Sequence, residues 1–512
     1  MPFMETIGWV AGLAFMRNSG DSSIAFPSLL NGAKEYKRIA FIPRRYLMAR
    51  SRLAPFAHCG ADLFSRRCYS YNDSDLAPNL MQASWKPKMK PKILALAICS
   101  IGAMMSCSGY GADLFARPDI RKALDYIQIH EQAQIEKQIA IAQIAAPPFH
   151  EEVRANALAQ EFRRAHLQDV EIDPIGNVLG WRRGASSRAI VVAAHLDTVF
   201  PPGTDVTVKR SGARLTGPGL VDDTRGLTAI LALAEALDAA GVATQRSILF
   251  VADVGEEGLG DLRGIKYLLG EGKYRDRVDA FISIDGDGEN RVVNREMGSR
   301  RYRVTISGPG GHSFLNFGRV NPAHALGRII AHLADLQSPA SPKTTYNVGR
   351  IGGGTSVNSI PFEIWMEFDM RSEEEAALIE LEESFLKLVR EGVEEENSFR
   401  AGSGTSLTLD AKRVAIRHAV SSTNNADLVA AAKWSSASLG LGEVMLYVGS
   451  TDSNAAMTKG IPAITIDGGG RAGNLHSLEE WFEPQDSHKG IQKALLTILA
   501  FDQQTSLKKG SP

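Results

Sequence analysis

Ser247-Ile-Leu-Phe-Val-Ala-Asp-Val-Gly-Glu-Glu-Gly258 is the stretch on which the reading of this chain turns. Its opening residues are short, apolar and rich in branched side chains, which predicts a buried strand. Gly255 closes the run, and two adjacent carboxylates, Glu256 and Glu257, follow in a glycine-rich turn. Neighbouring glutamates repel when both ionise, so such a pair beside a buried strand calls for a cation or a shared proton. One glutamate can then bind a metal while the other takes a proton from water. Alone, the pair is better read as a solvated acidic turn, and its company overturns that reading.

Upstream, Ala189-Ile-Val-Val-Ala-Ala-His-Leu-Asp-Thr-Val199 is an apolar strand feeding into His195 and Asp197. Positions i and i+2 of an extended chain face the same way, so imidazole and carboxylate can converge. The histidine would bind metal and the aspartate would fix its other ring nitrogen. Gly217-Pro-Gly-Leu-Val-Asp-Asp-Thr-Arg-Gly226 leads into a helix expected over Leu227–Ala240. Asp222, just before it, reads either as a helix cap or as a ligand, and the glycines point to a closely packed backbone. Downstream, Ala280–Asp285 is a second buried strand ending on a carboxylate, and Ile461–Asp467 is a third, with His476 in the loop beyond. His195, Asp222, Glu257, Asp285 and His476 thus all fall at or just past strand ends. In an open α/β sheet those ends line one crevice. Two histidines and three carboxylates suit a pair of Zn²⁺ ions, roughly 3.5–4 Å apart with one carboxylate shared.

The 512 residues, 44% hydrophobic with a formal net charge of −1, form a globular chain with room for more than one domain and no charge excess calling for a nucleic-acid partner. Cys59, Cys68, Cys99 and Cys107 are the only cysteines, so the body beyond residue 107 has neither a disulfide framework nor a thiolate nucleophile. Residues 1–88 lack a sustained apolar period and read as an extension that is non-native or disordered. Met89-Lys-Pro-Lys followed by a short apolar run and small residues to Ala112 has the three parts of a signal peptide. The run falls short of the roughly 20 residues that span a bilayer. A secreted or periplasmic protein without a stable membrane span is therefore expected, with lipoprotein anchoring at Cys107 as a weaker variant. Asp119–Ile144 predicts one amphipathic helix, ended by Pro147-Pro148, and Glu151–His166 predicts a second.

From Arg300 to about Lys412 the pattern changes. Strands are expected at Tyr302–Ser307, Thr345–Ile351, Glu363–Met370 and Ser406–Asp410, and helices at Ala323–Leu336 and Glu374–Glu395. The order βαββαβ is that of a ferredoxin-like module. The chain thus divides into a catalytic part at 113–299, an inserted module at 300–412, and a second catalytic part at 413–512.

With these motifs in hand, the sequence resembles the M20 family of dinuclear zinc peptidases and deacylases. The matching segments are His195-Leu-Asp197, Gly217-Pro-Gly-Leu-Val-Asp-Asp223, Gly255-Glu-Glu257, Ile284-Asp285, Gly310-Gly-His312 and His476-Ser477. The resemblance implies a zinc-dependent exopeptidase-type α/β domain, its mixed sheet flanked by helices, with the inserted ferredoxin-like module as lid. It further implies that His195 and Asp285 hold one ion, that Glu257 and His476 hold the other, and that Asp222 bridges them, followed by a cis peptide. Zn²⁺ is the expected metal, with Co²⁺ or Mn²⁺ as alternatives. Glu256 would be the general base and Asp197 would orient His195. From the lid, His312 and Asn358 would polarise the scissile carbonyl and Arg371 would bind a substrate carboxylate. The family's lid often forms a homodimer interface. Aspartate rather than glutamate at position 285 tilts the resemblance towards di- and tripeptidases of the peptidase T type. N-acyl-amino-acid deacylation or carboxypeptidase action is the alternative, and a non-catalytic binding scaffold a distant one. Thr224-Arg225 and Gly449-Ser-Thr-Asp-Ser-Asn454 depart from the family's usual residues.

Overall fold

The structure, a computed structural model, describes residues 112–421 and 424–508. The expected N-terminal extension, the signal peptide up to residue 111 and all four cysteines lie outside the described residues. In chain order the main strands are β1 (Gln168–Ile172), β2 (Val178–Arg182), β3 (Ser186–His195), β4 (Arg246–Asp253), β5 (Val278–Ile284) and β6 (Arg291–Glu296). There follow β7 (Gly298–Ser307), β8 (Thr344–Gly353), β9 (Glu363–Ser372), β10 (Thr408–Arg417), β11 (Met445–Gly449) and β12 (Ala463–Ile466).

A mixed sheet of 8 strands has the order β1-β2-β4-β3-β5-β12-β6-β11. Its centre, β4-β3-β5-β12, is parallel. Antiparallel pairing begins at β2 on one side and at β6 on the other. Ile190, Val192, Phe250 and Ile282 face one layer of helices, including Pro118–Ile129 and Thr224–Ala240. Val191, Leu249, Val251 and Phe281 face the other layer, with Arg263–Gly270. Burial on both faces explains why these strands read as unbroken apolar runs. β6 and β11 carry Arg291, Asn294, Arg295 and Tyr447 among their apolar residues and lack that signature.

The helix expected over Asp119–Ile144 is in fact two, Pro118–Ile129 and Glu131–Ala142. His130 separates them: its Nδ1 lies 2.9 Å from the Tyr126 carbonyl oxygen and its ring stacks on Tyr126. A donor placed on that carbonyl caps the first helix from within.

β7 to β10 form a separate antiparallel sheet of 4 strands in the order β8-β9-β7-β10. Helices Pro322–Ala334 and Glu375–Phe399 cover one face, over a core that includes Val304, Phe368 and Phe385. Sequence order and strand order together are those of a ferredoxin-like fold. β10 continues to Arg417, past both the strand end expected at Asp410 and the module end expected near Lys412. No helix among the described residues is long and apolar enough to cross a membrane.

Candidate active site

His195 is the last residue of β3 and is only 2% exposed. Its Nδ1 donates to the carbonyl oxygen of Asp197 (3.0 Å), which presents Nε2 to Asp222 Oδ1 at 3.0 Å. The Asp197 carboxylate lies 3.6 Å from Nδ1 and has further partners. It accepts the backbone N–H groups of Gly255 (2.9 Å), Glu256 (3.0 Å) and Glu257 (2.9 Å). One aspartate therefore orients the histidine and fixes the turn that bears both glutamates. These partners hold its carboxyl below the usual range, although burial acts in the opposite sense.

Asp222 is joined to Asp223 by a cis peptide bond. The helix cap is Asp223, whose Oδ1 accepts Gly226 N–H (3.0 Å) while its Oδ2 accepts His195 N–H (3.1 Å). Asp222 is thereby free of capping duty. A side chain at Gly226 would collide with the Ile284 carbonyl oxygen at 2.1 Å, so glycine lets the helix start against the end of β5. Gly219 (φ +67°) likewise seats its loop against Thr198.

His476 comes from the hairpin between short strands Arg471–Gly473 and Trp481–Glu483 and has a φ of +65°. Its Nε2 lies 2.9 Å from Asp222 Oδ2 and 3.1 Å from Glu257 Oε1. Glu480, in the same hairpin, accepts the N–H groups of Val221 (2.6 Å) and Asp222 (3.2 Å) and ties the two loops together. Ligand atoms of His195, Asp222 and Asp285 lie within 4.8 Å of one another, as do those of Asp222, Glu257 and His476. Glu256 joins a third such group with His195 and Glu257.

This donor set fits two cations, because the two oxygens of Asp222 face different histidines. Burial pushes the Glu257 carboxyl up to about 7, helped by Glu256 and Asp222 and opposed by His476. Burial and Asp222 push Asp285 up to about 6. Asp222 and Glu257 raise His476 to about 10, and His195 also lies well above its usual value, since Asp197 and Asp222 outweigh burial. Without a cation, the cluster relieves its charge by holding protons.

A cavity of about 380 Å³ opens onto this cluster. Asp222, Glu256, Glu257, Asp285 and His476 line it, together with Arg291, Arg301, Arg371 and Arg417. Arg371 is held by Nε on Asp369 (2.8 Å), and its side chain is 40% exposed. His312 and Asn358 are exposed and are not among the lining residues. His312 Nδ1 accepts Phe314 N–H (3.2 Å), which leaves Nε2 as the donor nitrogen of a neutral ring.

Residues 191–500 match the model of peptidase family M20/M25/M40. The chain belongs to this family. A succinyl-diaminopimelate desuccinylase of Leptothrix cholodnii is 28% identical over 256 residues, which are 46% of this chain and 66% of that protein. The chain thus spans slightly less than two thirds of the length of this curated relative. Among solved structures, a Staphylococcus aureus tripeptidase superposes with a TM-score of 0.58 at 20% identity, covering 73% of this chain and 99% of its own. A dinuclear metal-binding M20 peptidase of Bacillus subtilis gives 0.51 at 16% identity, covering 73% and 99%. At these identities the likeness shows the fold, including the mixed sheet flanked by helices.

The residues that depart from the common M20 pattern lie in two different surroundings. Arg225 is fully buried, with Nε on the Gly468 carbonyl (2.7 Å) and Nη2 on that of Ser487 (2.7 Å), and it stands outside the cavity lining. Ser450 and Thr451 do line the cavity. Sequence reasoning missed Glu480, Arg291 and Arg417. Arg291 bonds Asp467 (2.7 Å) and the Asp285 carbonyl (2.7 Å), so it braces a candidate ligand. Nothing in the local motifs marked these residues; each is identified by what lies across a loop from it.

Proposed function

We propose that this chain is a metal-dependent hydrolase of short peptides, di- or tripeptides, with two Zn²⁺ ions as the native metals. The observation that carries the reading is Asp222, one carboxylate presenting separate oxygens to His195 and His476 at 3.0 and 2.9 Å. His195 and Asp285 would hold one ion and Glu257 and His476 the other, with Asp222 common to both. When bound, such ions supply Lewis acidity towards the scissile carbonyl and lower the pKa of a water. Glu256, fixed beside them by the Asp197 carboxylate, takes the proton of the attacking water and delivers it to the leaving amine. Arg371 holds the substrate's terminal carboxylate. His312, with Nε2 as donor, and Asn358 serve the carbonyl oxygen once the module closes or a second copy docks. Exposed Phe314 (82%), Leu315 (76%) and Phe317 (82%) beside His312 support the docking of a second copy, a homodimer through the module. Export through the segment 89–112 belongs to the same reading.

A second reading, removal of an acyl group from an amino acid, is favoured by the two partly exposed arginines of the cavity wall, Arg291 (37%) and Arg371 (40%). Such a wall suits a substrate with a second carboxylate, and the relative named as a desuccinylase removes a group of that kind. The test is chelation followed by Zn²⁺ add-back, with unblocked di- and tripeptides assayed beside N-acetyl and N-succinyl amino acids. Zinc-restored cleavage of unblocked peptides supports the first reading. Cleavage of the acylated compounds alone establishes the second, and silence on both with metal bound removes both.

A further inference from the structure

We infer that the inserted module is part of the proton-transfer machinery: Arg417, the last residue of its last strand, is a positioning residue for Glu256. The inference rests on the reading of Glu256 as general base. It starts from an irregularity in β10. Leu409 and Ala411 pair with Ile306 and Val304 and so lie on the core face of the module's sheet. The register shifts between Arg413 and Ala415, after which Ala415 pairs with Arg301 and Arg417 with Ser299. An extra residue in one strand transfers the following odd-numbered side chains to the other face. Arg417 is thereby aimed away from the module's own core and into the catalytic part.

There its side chain is 3% exposed. Nη1 donates to Glu256 Oε1 (2.9 Å) and to Ser450 Oγ (3.0 Å), and Nη2 donates to the Glu256 backbone carbonyl. Two neighbouring contacts fasten the same turn. Asp261 accepts Ile416 N–H (3.1 Å), and Arg301 of β7 donates to the Gly258 carbonyl. The turn Glu256–Asp261 is thus gripped by the module at three points, while Asp197 holds it from the strand side.

A carboxylate has two oxygens, and a base needs one for its proton. Arg417 occupies Oε1 and sets the plane of the group, which leaves Oε2 to exchange the proton with water and leaving amine. The guanidinium itself stays protonated throughout.

The test compares wild type, Arg417→Ala and Arg417→Lys for bound metal, kcat, KM and hydrogen exchange of the amides at 255–261. Misplacing a reacting group by about 1 Å costs about 100-fold in rate. Arg417→Ala is therefore expected to lose about 100-fold in kcat, with KM within about threefold of wild type, two ions retained, and faster exchange in the turn. Added guanidinium ion should restore part of the rate, and an equal concentration of sodium chloride should not. Arg417→Lys, which keeps the charge but loses the planar fork, should fall between the two, and it decides the matter if the alanine variant does not fold. Unchanged kcat, a loss confined to KM, or loss of metal without guanidinium rescue overturns the assignment. A wild type inert on every peptide and acyl substrate would refute the hydrolase reading instead. Hydrogen exchange still reports on positioning in that case, and unchanged exchange in Arg417→Ala overturns it.

Discussion

The carboxylates at the strand ends and those on the open face of the inserted module are the same chemical groups in opposite surroundings. On the module, Asp369 receives Arg301 and Arg371, each at 2.8 Å, and Glu367 receives Arg303 at 2.9 Å and Arg350 at 3.0 Å. Burial opposes ionisation of Asp369, yet the two arginines hold its carboxyl below the usual range. At the strand ends, Glu257 and Asp285 are buried facing Asp222 as well as histidines, and although the Arg291 charge acts on Asp285 both carboxyls are pushed upward. A carboxylate flanked by arginines asks nothing of its surroundings. A cluster of carboxylates and imidazoles leaves a charge deficit that a divalent cation fills.

The contrast is broken most severely at Asp222. Asp222→Ala removes the group common to the His195–Asp222–Asp285 and Asp222–Glu257–His476 triads. Metal analysis after dialysis should find fewer than two ions per chain, and turnover should fall by more than the roughly 10²–10⁴-fold that a single proton-transfer residue contributes. Two ions retained at wild-type affinity would mean that Asp222 is not the shared ligand. Glu256→Gln probes the same cluster more gently. It should reduce kcat by about 10²–10⁴-fold while both ions remain.

On the module side, Arg371→Ala removes a cation held on one side only. A hydrogen bond to a charged group is worth about 1.5–3 kcal/mol, so KM for substrates with a free terminal carboxylate should rise about 10- to 100-fold. Amidated substrates should show no such change. An equal effect on both would assign Arg371 to the shape of the module and not to recognition.

The strand-end cluster also carries a pH signature that the module lacks. Glu257, Asp285 and His476 all have folded-state values above their unfolded ones. Each therefore contributes stability at low pH that is lost as pH rises through its folded value. Metal-free protein should lose thermal stability as pH rises through about 6 and about 7, as Asp285 and Glu257 ionise, and again towards about 10, as His476 gives up its proton. Metal addition should raise the melting temperature more at pH 9 than at pH 5, because the cation replaces the departing protons. A metal-induced gain independent of pH between those points would show that these groups do not hold the ions.

What was legible in the sequence follows the same division. Strands buried on both faces are continuous apolar runs, so the point at which each run stops is conspicuous: His195 and Asp285 fall there, and Glu257 falls in the glycine turn that follows its strand. The ferredoxin-like order was legible because its helices and strands keep their own periods. Residues acting across space were not. Asp223 and Asp222 are indistinguishable as letters, and only the backbone shows which one caps the helix. Glu480 serves Asp222 from a position 258 residues away in the chain. Arg417 depends on a register shift, and a bulge carries no reliable signature in residue type.

The smallest expected effect is the most direct check on the module half of the comparison. Arg303 and Glu367 form a cross-strand pair with side chains 36% and 16% exposed, and Arg303 also stacks over Trp365 at 3.7 Å. An ion pair this accessible is screened by solvent and is worth about 0.2–1 kcal/mol. Glu367 is shared with Arg350, which can keep the carboxylate paired when Arg303 is removed. A double-mutant cycle of Arg303→Ala and Glu367→Ala, read by urea unfolding, should therefore give a coupling below about 1 kcal/mol, with metal content untouched. A coupling several times larger would place the ladder among the buried, interdependent ion pairs. The module would then owe its stability to charge arrangement as much as the strand ends do, and the distinction between a self-neutralised ladder and a metal-seeking cluster would fail.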